Sequence, residues 1–294
     1  MGLNSPVKSE QCRVCNADAL IDLYCVNNYQ LATCQTCNFA QVIHLDELID
    51  LAEIYGEEYF ESAKYDDTET QSYENNRRIK LLQSVLGNTQ TRVLDAGCAT
   101  GDFIASTPSN FEMWGVDISP VAVAEAQRQN PGLADRLTST PLEQISYEDS
   151  FFDAIVLWDV IEHVRDPVGT CRALMRCLKP GGYLLLSTPD IGSLAARLLR
   201  RRWAFMTPPE HLGFFSSKSF KYLLETALAM NIVTSCRRGK WVNSGFLAYK
   251  LRRVFPELVP AWMVNRIRDG WLGQFSLYVP TQDIRYIISQ KKRG

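Results

Sequence analysis

Between residues 91 and 190 the chain alternates short apolar runs with longer amphipathic ones. The runs "TRVLDAG", "MWGVDI", "FDAIVLW" and "GGYLLLSTP" are apolar almost throughout, as strands covered on both faces must be. Between them lie a helix from Gly101, a helix over "PVAVAEAQRQ", a short strand near Leu137 and a helix from about Pro167 to Leu178. This βαβα order predicts an α/β fold built on a doubly wound parallel sheet, with "DIRYIISQKK" as its last strand. Ligands of such sheets bind beyond the C-terminal strand ends, at the switch point. The stretch "VLDAGCATGDF", residues 93–103, falls there.

Outside that core the pattern changes twice. Residues 46–88 are charged and helical in spacing, with Ile79, Leu82, Val85 and Leu86 on one side. The same connector carries Tyr55, Tyr59, Phe60, Tyr65 and Tyr73, which either pack against the next domain or form a lid over a ligand. Later, "IGSLAARLLRRRWAFMTPPEH" places Leu194, Leu198 and Leu199 on one helical face beside Arg197, Arg200, Arg201 and Arg202. That segment reads as an amphipathic lid whose basic side is solvated, meets a phosphate-bearing acceptor, or rests on an anionic membrane surface. "LAYKLRRVFPELVPAWMVNRIRDGW" extends the same basic and aromatic character. The expected organisation is a small module over 1–45, a helical connector over 46–90, and an α/β domain over 91–294 with lid insertions near 190–215 and 240–275.

Composition narrows the setting. With 294 residues, 46% of them hydrophobic and 22% charged, the chain can bury a sizeable core, and a net charge of −2 gives no global attraction to nucleic acid. No apolar run approaches the roughly 18 residues that span a bilayer, and "MGLNSPVKSEQC" lacks the pattern of a secretory signal, so a cytoplasmic location is expected. Nine cysteines in that setting point to metal binding or burial before disulfides. Four of them form two knuckles, "CRVC" at Cys12 and Cys15 and "CQTC" at Cys34 and Cys37, 18 residues apart. Two such knuckles complete a tetrahedral sulfur site suited to zinc, closed to water and therefore structural. Cys25, between two short strands joined at "NN", is expected to pack, and His44 to be structural.

The turn at 95–101 separates two cofactor classes. A dinucleotide site brings three glycines and a helix N-terminus to a pyrophosphate, whereas here Asp95 ends the strand and only Gly97 and Gly101 follow. A carboxylate at the mouth repels pyrophosphate and attracts an ammonium or sulfonium group. Asp117 ends the next strand 22 residues later, where an acidic residue can accept the hydroxyls of a ribose. S-adenosylmethionine carries the ribose, the amino group and the sulfonium, with no phosphate.

At "VLDAGCATG", "GVDIS", "FFDAIVLWDVIEHVRDP" and "LKPGGYLLLSTP" the sequence resembles the successive motifs of class I S-adenosylmethionine-dependent methyltransferases. With its cysteine knuckles, "IYGEEYFES" and "TPPEHLGFFSSKSF", it is similar to the zinc-ribbon-bearing bacterial branch, many of whose members act on sugars, glycans and other small metabolites. The resemblance implies a Rossmann-like seven-stranded sheet with a small N-terminal zinc ribbon. It also implies that Asp95, Gly97, Cys98 and Gly101 surround the methionine part of the cofactor, Asp117 holds the ribose and Ile118 lies against the adenine. Trp158 would flank the sulfur, and Arg77 would pair with the cofactor carboxylate or lie on a solvated face. Two positions depart from the family: Ala99 replaces a frequent glycine, and Thr140 replaces an aspartate near the adenine, leaving backbone groups of Thr140 to Leu142 for that contact.

Methyl transfer to an oxygen acceptor needs a base, and an imidazole is suited to that task. His163 in "DVIEHV" and His211 in "PPEHLGFF" both belong near the mouth of the sheet, with His211 the first choice. The expected function is methyl transfer to a small molecule, sugar or glycan or lipid-linked intermediate. Two alternatives are an RNA methyltransferase with a zinc module, disfavoured because only Lys8 and Arg13 are cationic in that module, and a non-catalytic cofactor-binding module. The latter is disfavoured by the presence of Asp95, Gly97, Gly101 and Asp117.

Overall fold

The computed structural model describes residues 7, 10–45 and 68–293, other than 256, 269, 271, 272 and 274. The connector aromatics Tyr55, Tyr59, Phe60 and Tyr65 lie outside the described residues. The first strands, β1 (Leu20–Val26) and β2 (Tyr29–Cys34), form an antiparallel hairpin, followed by β3 (Ala40–Val42). Its two turn residues, Asn27 and Asn28, both adopt positive φ, 50° and 66°, as the two-residue turns that match strand twist require. Cys25, expected to pack, is exposed because it points away from the packed face of this hairpin.

Helix α1 (Thr68–Leu86) then buries Ile79 and Leu82 against β4 (Thr91–Ala96) and its neighbours. The chain continues through α2 (Asp102–Ser106), β5 (Phe111–Asp117), α3 (Pro120–Gln129), β6 (Leu137–Ser139), β7 (Phe152–Trp158), α4 (Pro167–Cys177) and β8 (Leu178–Pro189). Local chemistry sets the helix starts. Ser119 caps α3 and Asp166 caps α4 through backbone N–H groups, and each cap is followed by a proline at the first helical position.

After β8 come α5 (Leu194–Leu199), the short β9 (Gly213–Phe214), α6 (Ser217–Lys221), β10 (Asn231–Asn243), α7 (Ser244–Val254), α8 (Ala261–Arg268) and β11 (Ser276–Gln290). The large sheet has seven strands in the order β10-β11-β8-β7-β4-β5-β6. β4 through β8 are parallel, while β11 inserts antiparallel between β8 and β10. The chain winds outward from β4 through β5 and β6 on one side and from β7 through β8 on the other. The switch point therefore lies between β4 and β7, at the ends that carry Asp95 and Trp158.

Two features differ from the sequence-based expectation. The N-terminal sheet is closed by β9, whose Gly213 and Phe214 pair with Gln41 and Ala40, so the 1–45 module takes its fourth strand from the segment beyond β8. In the lid, Leu194 and Leu198 are 67% and 72% exposed rather than seated. The short α5 packs through Ala196, and the loop after it is anchored by the buried Trp203, whose Nε1 donates to Asp283 Oδ2 at 2.9 Å. Among the described residues no helix is long and apolar enough to cross a membrane.

Candidate active site

The end of β4 delivers Asp95, buried at 2% exposure, into a turn that the neighbouring strand holds closely. Gly97 and Cys98 both donate their backbone N–H to Val116 O, at 2.7 and 3.1 Å, and Ala99 N donates to Asp117 Oδ2 at 2.9 Å. Gly97 and Gly101 take φ of 90° and 81°, and a Cβ on Gly97 would sit 2.4 Å from the Val160 side chain. Ala99, where the family often has glycine, also adopts positive φ, 45°, and its N–H bond to Asp117 helps to hold it there. The second oxygen of Asp117 accepts from Ser119 N at 2.9 Å. Burial pushes the Asp95 carboxyl up to about 7, against the pull of Arg78 and with a further push from Asp117. Its Oδ1 is buried and has no hydrogen-bond partner among the described residues.

Across the mouth, β7 ends at Trp158 and the chain turns through Asp159 into the segment bearing Glu162 and His163. Asp159 accepts from Ser187 Oγ at 2.7 Å and from Arg78 Nη2 at 2.9 Å. Burial would raise the Asp159 carboxyl, but Lys240 and Arg78 hold it below its ordinary value. His163 Nδ1 lies 2.7 Å from Glu210 O, and His211 Nδ1 lies 2.7 Å from Phe205 O. A carbonyl only accepts, so Nδ1 carries the hydrogen in both neutral rings and the lone pair resides on Nε2. The rings meet edge to face with centroids 4.8 Å apart. One donor atom from each of Glu162, His163 and His211 lies within 4.8 Å of the others. Burial lowers both histidines, His211 well below the ordinary 6.5, and pushes Glu162 up to about 8 with help from Asp159.

One cavity of about 810 Å³ joins these two ends. Asp95, Gly97 and Cys98 line one side, Trp158 and Asp159 the middle, and Glu162, His163 and His211 the other. Lys240, Trp241, Phe246, Tyr249, Lys250 and Arg253 also line it, with Lys240 Nζ 3.8 Å from Asp159 Oδ2.

The methyltransferase-domain model matches residues 68–227, more than half of the chain. The chain belongs to the methyltransferase-domain family. Its parallel sheet with the β11 insertion is the sheet of class I S-adenosylmethionine-dependent methyltransferases. The YcgJ protein of Bacillus subtilis superposes with a TM-score of 0.52 at 18% identity, covering 74% of this chain and all of that one. An S-adenosylmethionine-dependent methyltransferase from Aquifex aeolicus gives 0.51 at 13% identity, covering 83% and 99%. These show the shared fold. In sequence, a ubiquinone biosynthesis O-methyltransferase from Pseudomonas aeruginosa is 32% identical over 115 residues, 38% of this chain and 50% of the relative. Its counterpart in Cereibacter sphaeroides is 31% identical over 126 residues, 40% of this chain and 50% of the relative. The chain thus spans about half the length of the curated relatives it matches.

S-adenosylmethionine fits the residues of this methyltransferase domain on grounds of their own. The orphaned Asp95 Oδ1 is the acceptor an ammonium group needs, and the tight turn at Gly97 brings backbone, not side chains, to the cavity wall. Asp117, Ile118, Thr140 and Leu142 are not part of the cavity wall; Asp117 ends β5, Ile118 follows it, Thr140 and Leu142 lie just beyond β6, and Ile118 is 48% exposed. Both Asp117 oxygens already accept backbone N–H bonds, and each keeps a second lone pair for a ribose hydroxyl.

Arg77 does not reach the cavity. Its Nη1 donates to Glu74 at 3.1 Å and to Gly239 O at 2.9 Å, and its guanidinium lies over Tyr278 and Tyr286. One residue further along α1 the side chain turns inward, so the guanidinium at the site is that of Arg78, 5.5 Å from the Trp158 ring centre. Likewise Arg197, Arg200, Arg201 and Arg202 are exposed and contribute nothing to the cavity wall, whose cations among the described residues are Arg78, Lys240, Lys250, Arg253 and Arg268. Asp159 and Glu162 were legible in "DVIEHV" beside the histidine already singled out; Lys240 and Trp241 carry no local motif.

The four knuckle cysteines converge away from this cavity. Cys12 Sγ and Cys37 Sγ are 3.5 Å apart, as are Cys15 Sγ and Cys34 Sγ, and all four sulfurs lie within 4.8 Å of one another. A tetrahedron with bonds of about 2.3 Å places sulfurs about 3.8 Å apart, so the set fits zinc.

Proposed function

We propose that this chain transfers a methyl group from S-adenosylmethionine to an oxygen of a small molecule, with His211 as the base. The observation that carries this reading is the single cavity with the Asp95 turn at one end and the Glu162, His163 and His211 group at the other. When bound, S-adenosylmethionine supplies an electrophilic methyl on a leaving group that is already positively charged. Asp95 accepts from the ammonium, Asp117 from the ribose, and the Gly97 turn lets the backbone close around the chain between them. Trp158 walls the reacting centre and excludes water, which suits an in-line displacement between aligned groups. His211 Nε2 takes the acceptor's proton as the oxygen–methyl bond forms, while Nδ1–H stays donated to Phe205 O. His163, tied to Glu210 O, holds the segment that carries His211.

The relatives, ubiquinone biosynthesis O-methyltransferases, favour an oxygen acceptor of small size. The aromatic and cationic wall of Trp241, Phe246, Tyr249, Lys250 and Arg253 favours an acceptor that bears an anionic group, a class that includes phosphate-bearing sugars and lipid-linked intermediates. Cys12, Cys15, Cys34 and Cys37 hold a structural zinc. Metabolite extracts from cells with and without the gene, compared by mass spectrometry, should differ by a compound that gains one methyl. No such compound, together with no binding of S-adenosylmethionine by calorimetry, would refute the proposal. Activity abolished by a chelator and restored by a divalent cation would instead remove His211 from the role of base. Elemental analysis should find about one zinc per chain, and its absence would refute the zinc assignment.

A further inference from the structure

The N-terminal module reaches the His211 segment through one side chain. Arg13 lies inside the first cysteine knuckle, between Cys12 and Cys15. Its guanidinium donates to three carbonyls from three separate segments: Leu212 O at 2.7 Å, Val42 O at 3.0 Å and Arg165 O at 3.2 Å. Leu212 adjoins His211, and Arg165 lies two residues beyond His163. Further bonds converge on the same strip. Val42 N donates to Leu212 O at 3.0 Å, and Leu212 N and Gly213 N donate to Glu162 O at 2.8 and 3.0 Å. On the other flank, Asn27 Nδ2 donates to Pro208 O at 2.8 Å.

We propose that Arg13 is a positioning residue that locks the two histidine-bearing segments to each other through the cysteine knuckle, so that the N-terminal module buttresses the acceptor site from behind its wall. The planar fork of an arginine can satisfy three carbonyls at once, which a lysine ammonium on a single stem matches poorly. The guanidinium's place depends on the knuckle that carries it, so the four cysteines fix the relation of His211 to His163. The functional meaning of that relation rests on the proposed role of His211; the positioning itself does not.

The test uses the full chain as purified and needs no acceptor. The protein has three histidines, so the imidazole carbon–proton signals of His44, His163 and His211 can be assigned by single substitution and followed with pH. Arg13→Gln should keep the metal content and shift the His163 and His211 signals. It should also raise the midpoint of His211 towards the ordinary value as the segment loosens and water enters. Wild-type signals and midpoints in a folded Arg13→Gln variant would overturn the proposal. If that variant does not fold, Asn27→Gly decides: it removes the Pro208 bond and keeps the turn conformation that Asn27 needs. It should shift His211 and, through the ring contact, His163; no shift in either overturns the proposal. A fully active His211→Ala variant would remove the base and leave these signals as the independent measure of positioning.

Discussion

The two ends of the cavity are built by opposite means. The cofactor end is seven consecutive residues, 95–101, bound by backbone to the adjacent strand, so its shape follows from where β4 stops. The acceptor end draws Glu162 and His163 from beyond β7, His211 from beyond β8, and Lys240, Lys250 and Arg253 from β10 and α7. Its geometry depends on side-chain and inter-segment bonds, including those from the N-terminal module. The difference teaches that one end resists change in everything except its glycines and carboxylates, whereas the other can be altered by residues distant in sequence.

The largest effect should come from the acceptor end. His211→Ala is expected to lower turnover by about 10²- to 10⁴-fold while cofactor affinity, read by calorimetry, changes little, because a base acts in the transition state. The pH profile carries a sign. A base works when unprotonated, and burial lowers His211 well below 6.5, so turnover at saturating cofactor should stay flat from pH 8 down through 6.5 and fall only well below it. An acid limb at 6.5 or above would mean that water reaches the ring. A matching loss of cofactor affinity would break the separation of the two ends.

Next in size is the cofactor end. Asp95→Asn keeps the shape and removes the charge, so affinity for S-adenosylmethionine should fall about 10- to 100-fold, the scale of a charge-assisted bond. The same carboxyl gives a pH signature. Held near 7 when empty, it is about one-tenth ionised at pH 6 and must ionise to receive an ammonium. Affinity should therefore rise about tenfold from pH 6 to above 7 and then level off, with up to one proton released on binding, measured by calorimetry in buffers of different ionisation heat. A pH-independent affinity would place the ammonium elsewhere.

The unequal legibility of the two ends follows from their construction. The βαβα order, Asp95 with its two glycines, Asp117 and the four cysteines are local patterns, because strand ends, tight turns and knuckles are made by neighbours in sequence. His163 and His211 were legible as two candidates at the mouth of the sheet, but their edge-to-face contact was not, since it depends on β9 closing the N-terminal sheet. Arg78 was missed for Arg77 because a one-residue rotation of about 100° on a helix decides which guanidinium faces inward, and neither residue has a motif to fix the phase. In the basic lid the helix and its solvated arginines were legible, but its seating was not. Periodicity over six residues is too short to orient α5, and Trp203 determined its seating instead.

The smallest effects should separate the two cationic surfaces. Lys250 Nζ donates to Ala204 O at 3.1 Å and Arg253 Nη2 donates to Met206 O, so both are held against the cavity wall. Replacing both with glutamine should raise the Michaelis constant of an anionic acceptor several-fold with a smaller change in turnover, the pattern of lost uniform binding. Arg200 and Arg201 are exposed and outside that wall, so Arg200→Gln with Arg201→Gln should leave the Michaelis constant unchanged. If the exposed Leu194 and Leu198 beside them rest on an anionic membrane, that pair should instead weaken binding to phosphatidylserine vesicles by about fivefold per arginine, equivalent to about 1 kcal/mol each. Vesicle binding that is absent in the parent protein would make the arginine cluster a solvated surface. A raised Michaelis constant in the Arg200 and Arg201 variant would extend the acceptor site across α5 and end the distinction between the two surfaces.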